Sequence, residues 1–293
     1  MNRISTHPSK LAFIGLGAMG KPISDLLINR GYNLEIYKRY KTVNNEINRY
    51  SPNPFQAVNS CDGLLICVTD DAAVESVLFG ENGLSERLKA DSFVIDFSTI
   101  SPAKSISIHE RLKVKRIFYV DCPVSGGTEG AKTGNLSLFI GASKKDCAPF
   151  EYIFDVVGKS INYFDSVGNG QKVKALNQIL VAGTYAAVAE AISLGKLLNL
   201  PMELVVNSLK LGAANSWPLV NRSKLMLEND HPLGFKLGLH HKDLCIAIDL
   251  ADSINVSLPI TSKVLEMESA LMERGYSDLD ISVLHRYIYK NNL

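Results

Sequence analysis

The sequence predicts an α/β amino-terminal domain with a parallel sheet, followed by an all-α carboxy-terminal domain. Up to about Phe164, short β-rich runs alternate with longer amphipathic segments, which is the pattern of successive βαβ units. Beyond that point the β-branched clusters disappear and helical periodicities continue to the carboxy terminus. The length of 293 residues is about twice that of a usual single domain. We therefore expect one domain at residues 1–166 and a second at residues 167–293.

The β-rich runs of the first half are the predicted strands. They are Lys10–Ile14, Leu34–Tyr37, Gly63–Val68, Phe93–Asp96, Phe118–Asp121, Ser137–Gly141 and Ile161–Phe164. Residues that favour the start of a helix stand between these runs, namely Thr69, Asp70 and Asp71 ahead of Ala72, Ser101 ahead of Pro102, and Ser143. Strands and caps are spaced as in a sheet with crossover helices.

The second domain begins with one long and largely apolar segment, Lys172–Leu200, which Pro201 stops. A helix that is apolar on all sides is buried. We expect this interdomain helix to be buried either inside the second domain or against a neighbouring subunit.

The composition argues against several classes of protein. A net charge of +1 without Lys/Arg clusters disfavours a nucleic-acid partner. Apolar runs such as Leu64–Val68 are far shorter than the ~20 residues that cross a bilayer, and residues 1–9 contain no apolar signal segment. The odd number of cysteines, without a close CxxC pair, fits neither a disulfide framework nor a zinc site. They are Cys61, Cys67, Cys122, Cys147 and Cys245. We expect a cytoplasmic protein without membrane or metal.

A glycine-rich turn follows the first predicted strand directly and opens an amphipathic run. In this context Gly15 permits the tight turn, Gly17 permits close approach of a pyrophosphate, and Gly20 permits packing of helix on strand. The helix amino terminus then supplies N–H donors to the phosphates. The sequence predicts a Rossmann-type dinucleotide site, and its turn consists of Gly15, Leu16, Gly17, Ala18, Met19 and Gly20.

The end of the second predicted strand indicates which dinucleotide is bound. An acidic residue there would bond to the ribose 2′-hydroxyl and repel a 2′-phosphate, but the strand runs through Tyr37 into Lys38 and Arg39. These cations can hold a 2′-phosphate through charge-assisted hydrogen bonds. We predict NADP as the preferred cofactor. NAD stays the alternative, in which Lys38 and Arg39 only form a solvated loop.

Three further segments, together with the glycine turn, resemble the β-hydroxyacid dehydrogenases, the family of 3-hydroxyisobutyrate dehydrogenase and tartronate semialdehyde reductase. The family motif GLGxMG stands at residues 15–20, and its nicotinamide-side segment appears as IDFSTISP at residues 95–102. The resemblance covers nearly the whole chain and implies a 6-phosphogluconate dehydrogenase-like fold. It also implies further cofactor contacts at Val68, Thr69, Ser98, Thr99, Lys242 and Asp243.

The family's substrate motif DxPVSGG is unbroken at residues 121–127. It follows a predicted strand end, where the ligand crevices of open α/β sheets form. The hydroxyl of Ser125 and the N–H groups of Gly126 and Gly127 can face a carboxylate, which indicates a small carboxylate-bearing substrate. For the motif alone, the alternative is a tight turn after a strand.

Lys174 matches the family's catalytic lysine, within the segment GNGQKVK at residues 168–174. Reduction of a carbonyl by hydride transfer builds negative charge on oxygen, and an ammonium supplies both a counter-charge and a proton. In the oxidative direction the lysine must be neutral, so desolvation or a nearby cation such as Lys242 must lower its pKa. Lys172 is expected on a solvated face.

The chain departs from the family at one position of the predicted site. The family has an asparagine four residues after the lysine, one helical turn along, where this chain has Gln178. Asn177 precedes it, and both side chains offer a carboxamide to the substrate. The resemblance implies that Lys242 binds the substrate carboxylate and that Asp243 orients Lys242.

Aromatic and histidine side chains flank these positions. His240 and His241 are adjacent on a predicted helix, so they point in different directions and lack the spacing of a zinc pair. Trp217, the single tryptophan, either closes the substrate pocket or packs in the core.

These residues predict an NADP-dependent oxidoreductase that acts on a small β-hydroxy acid or semialdehyde acid and forms a homodimer or homotetramer. One alternative is an imine reductase-like enzyme, and another is a non-catalytic dinucleotide-binding scaffold. Relatives of both kinds usually lack the lysine, so Lys174 disfavours both alternatives.

Overall fold

The computed structural model describes residues 10–37, 53–59 and 61–288. The chain divides into two compact units, one ending at Lys174 and the other beginning at Ala175. The first unit is α/β and the second is helical, which confirms the predicted fold class. Because one long helix runs through the boundary between the units, the exact limits given to the two domains remain a prediction.

The first unit is built on a five-stranded parallel sheet with the strand order β2-β1-β3-β4-β5. Strand β2 lies on one side of β1, and β3 to β5 follow on the other side. The carboxyl ends of β1 and β3 therefore border the crevice in which open α/β sheets bind ligands. The strands are β1 (Lys10–Ile14), β2 (Asn33–Tyr37), β3 (Gly63–Ile66), β4 (Phe93–Asp96) and β5 (Phe118–Asp121).

Helices connect these strands, and the predicted caps begin three of them. The side chains of Asp70, Ser101 and Ser143 accept hydrogen bonds from backbone N–H groups of the first turns that follow them. The helices of this unit are α1 (Gly20–Asn29), α2 (Pro54–Val58), α3 (Asp71–Phe79), α4 (Pro102–Val114), α5 (Gly127–Thr133), α6 (Lys144–Cys147) and α7 (Glu151–Val157).

Both faces of the parallel sheet are covered. Successive side chains of a strand point to opposite faces, so Leu11 and Phe13 join one hydrophobic cluster while Ala12 and Ile14 join another. All four are buried, as expected for a parallel sheet between layers of helices.

A second, three-stranded sheet follows the first and differs from the prediction. It consists of β6 (Val124–Ser125), β7 (Leu136–Ile140) and β8 (Gly158–Tyr163), with β7 antiparallel to β6 and parallel to β8. The prediction started β7 one residue and β8 three residues too late, and it ended each of them one residue too late. It missed β6, because a two-residue strand carries no periodicity. It also extended β3 to Val68, whose N–H in fact donates to the hydroxyl of Ser98.

The second unit packs helices around one hydrophobic cluster, which includes Ala182, Ile192, Leu244 and Leu271. A 3₁₀ helix at Ile281–Leu284 adds three further buried apolar side chains to this cluster. The helices are α8 (Asn169–Leu197), which starts in the first unit, α9 (Met202–Leu209), α10 (Trp217–Asn221), α11 (Ser223–Glu228), α12 (Leu237–Asp252), α13 (Pro259–Glu273) and α14 (His285–Ile288).

Helix α8 covers most of the predicted long apolar segment, beginning and ending three residues earlier than predicted, but it is not buried on all sides within the chain. Leu176, Leu180, Leu194 and Leu197 are 59%, 70%, 60% and 64% exposed. Of the two alternatives, burial inside the second domain is therefore wrong for one face of the helix, because only the opposite face meets the core, and burial of the exposed face against a neighbouring subunit remains a prediction. By length and composition α8 could cross a membrane, but half of its apolar window is buried inside the protein, as is usual for a core helix.

Candidate active site

The glycine turn between β1 and α1 has no room for a side chain at its first and last glycines, but it has room at the middle one. Gly15 has a φ of +99°, and a Cβ on it would overlap the carbonyl oxygen of Cys67. A Cβ on Gly20 would overlap the carbonyl oxygen of Gly15. A Cβ on Gly17 would meet no atom of the described residues within 4 Å. The turn can therefore admit a pyrophosphate at Gly17, beside the amino terminus of α1, so these residues fit a dinucleotide.

The other residues of the turn and of the neighbouring loops divide between core and surface. Leu16 and Met19 pack against the hydrophobic cluster beneath the turn, whereas Ala18 is exposed. Thr69 is exposed and its hydroxyl donates to the carboxylate of Asp70 at 2.8 Å. Exposed side chains at Ala18 and Thr69 leave this end of the sheet accessible.

A cavity of about 230 Å³ lies beside the carboxyl ends of β1 and β2. Lys38 and Arg39, the predicted ligands of the 2′-phosphate, follow Tyr37 in the sequence and lie outside the described residues. The cavity is lined by Ile14, Tyr37, Pro54, Ser76, Val77, Glu81, Asn82 and Leu84.

Two predicted cofactor residues contact each other at the carboxyl ends of β3 and β4. The N–H of Val68 donates to the hydroxyl of Ser98 at 2.9 Å, and the N–H of Ser98 donates to the carboxylate of Asp96 at 2.9 Å. The hydroxyl of Tyr119 donates to the other oxygen of Asp96 at 3.1 Å. Burial raises the pKa of Asp96 to about 6. Asp96 therefore holds the loop that continues into the half-buried Thr99.

The substrate motif forms a glycine turn between β6 and α5. Gly126 and Gly127 have φ values of +135° and +63°, which favour glycine. Ser125 is half-buried and pairs in register with Ser137 of β7. Gly126 is exposed, and a Cβ on it would lie 3.1 Å from the side chain of Leu136. Leu136 therefore packs against one side of the turn, and the exposed Gly126 leaves the other side accessible.

The first residue of the same motif, Asp121, is fully buried at the end of β5. Its carboxylate accepts hydrogen bonds from the N–H of Gly168 at 2.8 Å, just before α8, and from the N–H of Gln171 at 2.9 Å, in the first turn of α8. Burial raises the pKa of Asp121 to about 6, although these hydrogen bonds favour the ionised form. Asp121 thus joins the substrate motif to the helix that contains Lys174.

Lys174 lies one turn into α8 and is 6% exposed. Lys172, two residues earlier, is exposed and donates to the side chain of Asn169 at 3.1 Å, which confirms its predicted place on a solvated face. A lysine is almost never this buried unless its charge is compensated. The two lysines therefore have different environments on the same helix.

The carboxamides and charges predicted for the substrate form one network in the second unit. Gln178 donates to Asp243 at 2.7 Å and accepts from the side chain of Asn177 at 2.7 Å. Lys242 pairs with the other oxygen of Asp243 at 2.9 Å, so Asp243 is the partner predicted for Lys242. Gln178 is longer by one methylene than the asparagine of the family motif, and its amide contacts Asp243.

Two family models match consecutive parts of the chain. The first, described as the NAD binding domain of 6-phosphogluconate dehydrogenase, matches residues 10–168. The second, described as NAD-binding of NADP-dependent 3-hydroxyisobutyrate dehydrogenase, matches residues 168–288. The chain belongs to the β-hydroxyacid dehydrogenase family. The resemblance predicted from the sequence motifs is therefore confirmed.

Relatives extend this match over nearly the full length of the chain. The 2-hydroxy-3-oxopropionate reductase of Escherichia coli is 32% identical over 278 residues, 94% of this chain and 95% of that protein. A crystal structure of 3-hydroxyisobutyrate dehydrogenase from Salmonella typhimurium has a TM-score of 0.85 at 25% identity and covers 95% of this chain and 99% of its own. The chain is therefore an NAD(P)-dependent oxidoreductase acting on the CH–OH group of donors.

Imine reductases share the fold at a greater distance. The imine reductase of Myxococcus stipitatus, in complex with NADP⁺, has a TM-score of 0.63 at 15% identity, covering 96% of this chain and 99% of its own. This likeness shows the fold alone.

The adjacent histidines of this β-hydroxyacid dehydrogenase have separate partners on α13. His240 is fully buried, and its Nδ1 lies 2.6 Å from a carboxylate oxygen of Glu268, which is also fully buried. Its Nε2 lies 3.4 Å from the carbonyl oxygen of Gln178. His241 contacts the hydroxyl of Ser269 at 2.9 Å. The buried pair of His240 and Glu268 was missed, because the two residues are far apart in the sequence.

Trp217 lies at the start of α10 and is 51% exposed. The guanidinium of Arg222 stands over its ring, 4.6 Å from the ring centroid. Packing of Trp217 in the core, one of the two alternatives, is therefore wrong. Closure of a substrate pocket by Trp217 remains a prediction.

Asp96, Asp121 and Gln171 are buried polar residues that sequence reasoning did not single out. Asp96 and Asp121 are paired in register on neighbouring strands, each at the end of an apolar run. An acidic residue that directly ends a buried strand is the signal that could have identified both aspartates, since an isolated buried carboxylate needs hydrogen-bond donors.

Proposed function

We propose that this enzyme uses NADP(H) to interconvert a small β-hydroxy acid and its semialdehyde acid, with Lys174 as the proton-transferring residue. The observation that supports this most directly is the burial of Lys174 on α8 beside an exposed Lys172. Buried ionisable groups concentrate at functional sites.

The chemistry assigned to Lys174 follows from the charge that develops on the substrate. A bound nicotinamide supplies or accepts the hydride. In the reductive direction the ammonium of Lys174 donates a proton to the carbonyl oxygen as that oxygen becomes negative. In the oxidative direction the neutral amine of Lys174 accepts the proton of the alcohol.

The substrate carboxylate is assigned to the glycine turn and to Lys242. The accessible turn offers the N–H groups of Gly126 and Gly127 and the hydroxyl of Ser125. Lys242 supplies the opposite charge, with Asp243 orienting it. Asn177 and Trp217 are assigned to the same substrate, the first through its carboxamide and the second by closing the pocket.

The preference for NADP rests on the residues that follow β2. The open backbone at Gly17 accommodates the pyrophosphate, and the cavity beside Tyr37 accommodates the adenosine half. Lys38 and Arg39 would then hold the 2′-phosphate. In a fluorescence titration NADPH should bind more tightly than NADH, and Arg39→Gln should weaken NADPH binding while NADH binding stays as it was. Tighter NADH binding to the wild type would reverse the assignment.

The subunit arrangement and location are part of the same proposal. Several leucines of α8 and of the following helix α9, such as Leu197 and Leu204, present apolar surface to solvent on the second unit. We assign this surface to a second copy of the chain in a homodimer or homotetramer, since large apolar patches mark protein interfaces. An enzyme of this kind, without disulfides, suits the cytoplasm.

Turnover of NADPH with a panel of semialdehyde acids, and of NADP⁺ with 3-hydroxy acids, tests the proposal. Lys174→Ala should lower kcat by about 10²–10⁴-fold, because general acid–base catalysis contributes that much, while NADPH binding persists. Lys172→Ala is the matched control on the same helix and should retain wild-type kcat. Tight NADPH binding without turnover of any substrate would favour a scaffold, and turnover of cyclic imines alone would favour an imine reductase.

A further inference from the structure

We propose that Asp121 is a positioning residue for Lys174, because its carboxylate docks the first turn of α8 onto the carboxyl end of β5. The inference rests on the proposed function of Lys174 and deepens it. It gives the substrate motif a second role, which is to position the proton-transferring amine of Lys174.

The amino terminus of α8 takes its hydrogen-bond acceptor from outside the helix. The first four N–H groups of a helix have no partner within the helix. In α8, Asp121 accepts from Gln171 inside the first turn and from Gly168 just before it. The acceptor lies 47 and 50 residues away in the sequence, so this cap is supplied by the sheet and ties the helix to it.

The carboxylate of Asp121 lies in a confined space. A Cβ on Gly141 would overlap the carboxylate of Asp121, and a Cβ on Gly170 would lie 2.8 Å from one of its oxygens. Gly168 has a φ of +87°, a conformation that favours glycine. Glycines thus enclose the carboxylate on several sides and leave it little room to move.

The first turn of α8 makes a second contact through the side chain of Gln171. The side chain of Gln171 donates to the carbonyl oxygen of Ser98 at 2.8 Å and accepts from the N–H of Ile100 at 3.2 Å. The first turn of α8 is therefore held at β5 by Asp121 and at the loop after β4 by its own Gln171. Ser98 belongs to the predicted nicotinamide-side segment, so this contact relates the helix to the cofactor loop.

These contacts determine the position of the Lys174 backbone. Lys174 follows Gln171 by three residues, less than one helical turn, so a shift of the first turn carries Lys174 with it. Misplacement of a reacting group by about 1 Å lowers the rate about 100-fold. Asp121 does not need to touch the substrate to control the reaction.

The test uses Asp121→Asn in the full-length enzyme. The variant keeps the shape and one acceptor oxygen, but its amide N–H₂ faces one of the two N–H donors. We expect kcat to fall about 10- to 100-fold while the Kd for NADPH stays unchanged. In the Lys174→Ala background, Asp121→Asn should lower kcat little further, because residues that act together are not additive.

The matched control is Asp280→Asn in the helical unit. Asp280 is also fully buried and accepts from the N–H groups of Gly234, Phe235 and Ser282. This variant should lower the melting temperature and leave kcat unchanged below it. If Asp121→Asn does not fold, the same measurements are made on Asp121→Ser, whose hydroxyl keeps one acceptor for the N–H groups at the start of α8 and places no amide against them.

The outcomes separate this inference from the proposed function. Wild-type kcat in Asp121→Asn, or in its replacement Asp121→Ser, beside an inactive Lys174→Ala overturns the inference alone. A loss that multiplies with that of Lys174→Ala overturns it too, since Asp121 would then act independently of the lysine. Full activity of Lys174→Ala overturns the proposed function, and the inference with it.

Discussion

The side-chain amide of Gln178 donates a hydrogen bond of 2.7 Å to the carboxylate of Asp243, and both residues are buried. Gln178 lies on α8 and Asp243 on α12, so the bond joins two helices of the second unit. The other oxygen of Asp243 pairs with Lys242. The orientation of Lys242 therefore depends on a residue that the family motif would place as an asparagine.

Gln178→Asn should loosen this network. An asparagine is shorter by one methylene and leaves Asp243 without this donor, and an unsatisfied buried group costs about 1–3 kcal/mol. We expect the KM for the acid substrate to rise about 10-fold while the Kd for NADPH is unaffected. Steady-state kinetics with the acid as the varied substrate measure this effect. Unchanged KM would show that Gln178 has no part in orienting Lys242.

The three glycines of the cofactor turn should differ in their response to alanine. Gly20→Ala forces a Cβ onto the carbonyl oxygen of Gly15 and should lower the melting temperature by several degrees. Gly17→Ala has room in the protein itself, so its melting temperature without cofactor should equal that of the wild type. Its NADPH affinity should fall at least about tenfold, because the methyl group blocks the pyrophosphate. Wild-type NADPH affinity in Gly17→Ala would contradict the assigned site.

The buried pair of His240 and Glu268 should behave as one unit. Glu268→Leu leaves the imidazole of His240 without its carboxylate partner and should cost about 1–3 kcal/mol of unfolding free energy. The double variant His240→Leu/Glu268→Leu should recover much of that loss, since apolar side chains can replace a buried polar pair. Urea unfolding of both single variants and the double variant gives the coupling energy. Additive losses would mean that the two side chains do not depend on each other.

The stability of the second unit should fall in mild acid because of His231. Burial and the nearby charges of His285 and Arg286 lower the pKa of His231 from 6.5 to about 4. The unfolded chain thus binds a proton that the folded chain resists. The contribution of neutral His231 is present above pH 6.5 and is lost as the pH falls towards 4.

His231→Gln removes this titration and should reduce the loss of melting temperature between pH 7.5 and about pH 5. The hydrogen bond between Nδ1 of His231 and the hydroxyl of Ser282 is the local contact that the glutamine amide can replace. An equally steep pH dependence in His231→Gln would assign the acid sensitivity to other groups.

The exposed leucines of the second unit should be needed for assembly. Leu194→Asp and Leu197→Asp place charges on the apolar face of α8 and should shift the mass measured by light scattering to that of one chain. Val114→Asp, at an exposed apolar residue of the first unit, is the control and should leave the mass unchanged. A wild-type protein that is already monomeric would contradict the assembly proposal.

Local patterns in the sequence were sufficient for most of the fold. The continuous apolar run of β1, the caps at Asp70 and Ser101, and the apolar composition of α8 are all local features, so they can be recognised without a structure. The glycine turn and the substrate motif were identified for the same reason. The two-residue β6 and the exposed face of α8 were not, because pairing and burial depend on distant residues.

What the sequence by itself determined is the α/β class of the first unit, the helical class of the second and the strand–turn–helix arrangement around Gly15 to Gly20. Only the tertiary structure decided that Asp121 caps the helix of Lys174, that Gln178 reaches Asp243, and that His240 meets Glu268. The separations in sequence are 50, 65 and 28 residues. No periodicity spans such distances, because a buried polar group selects its partner by where the folded chain places it.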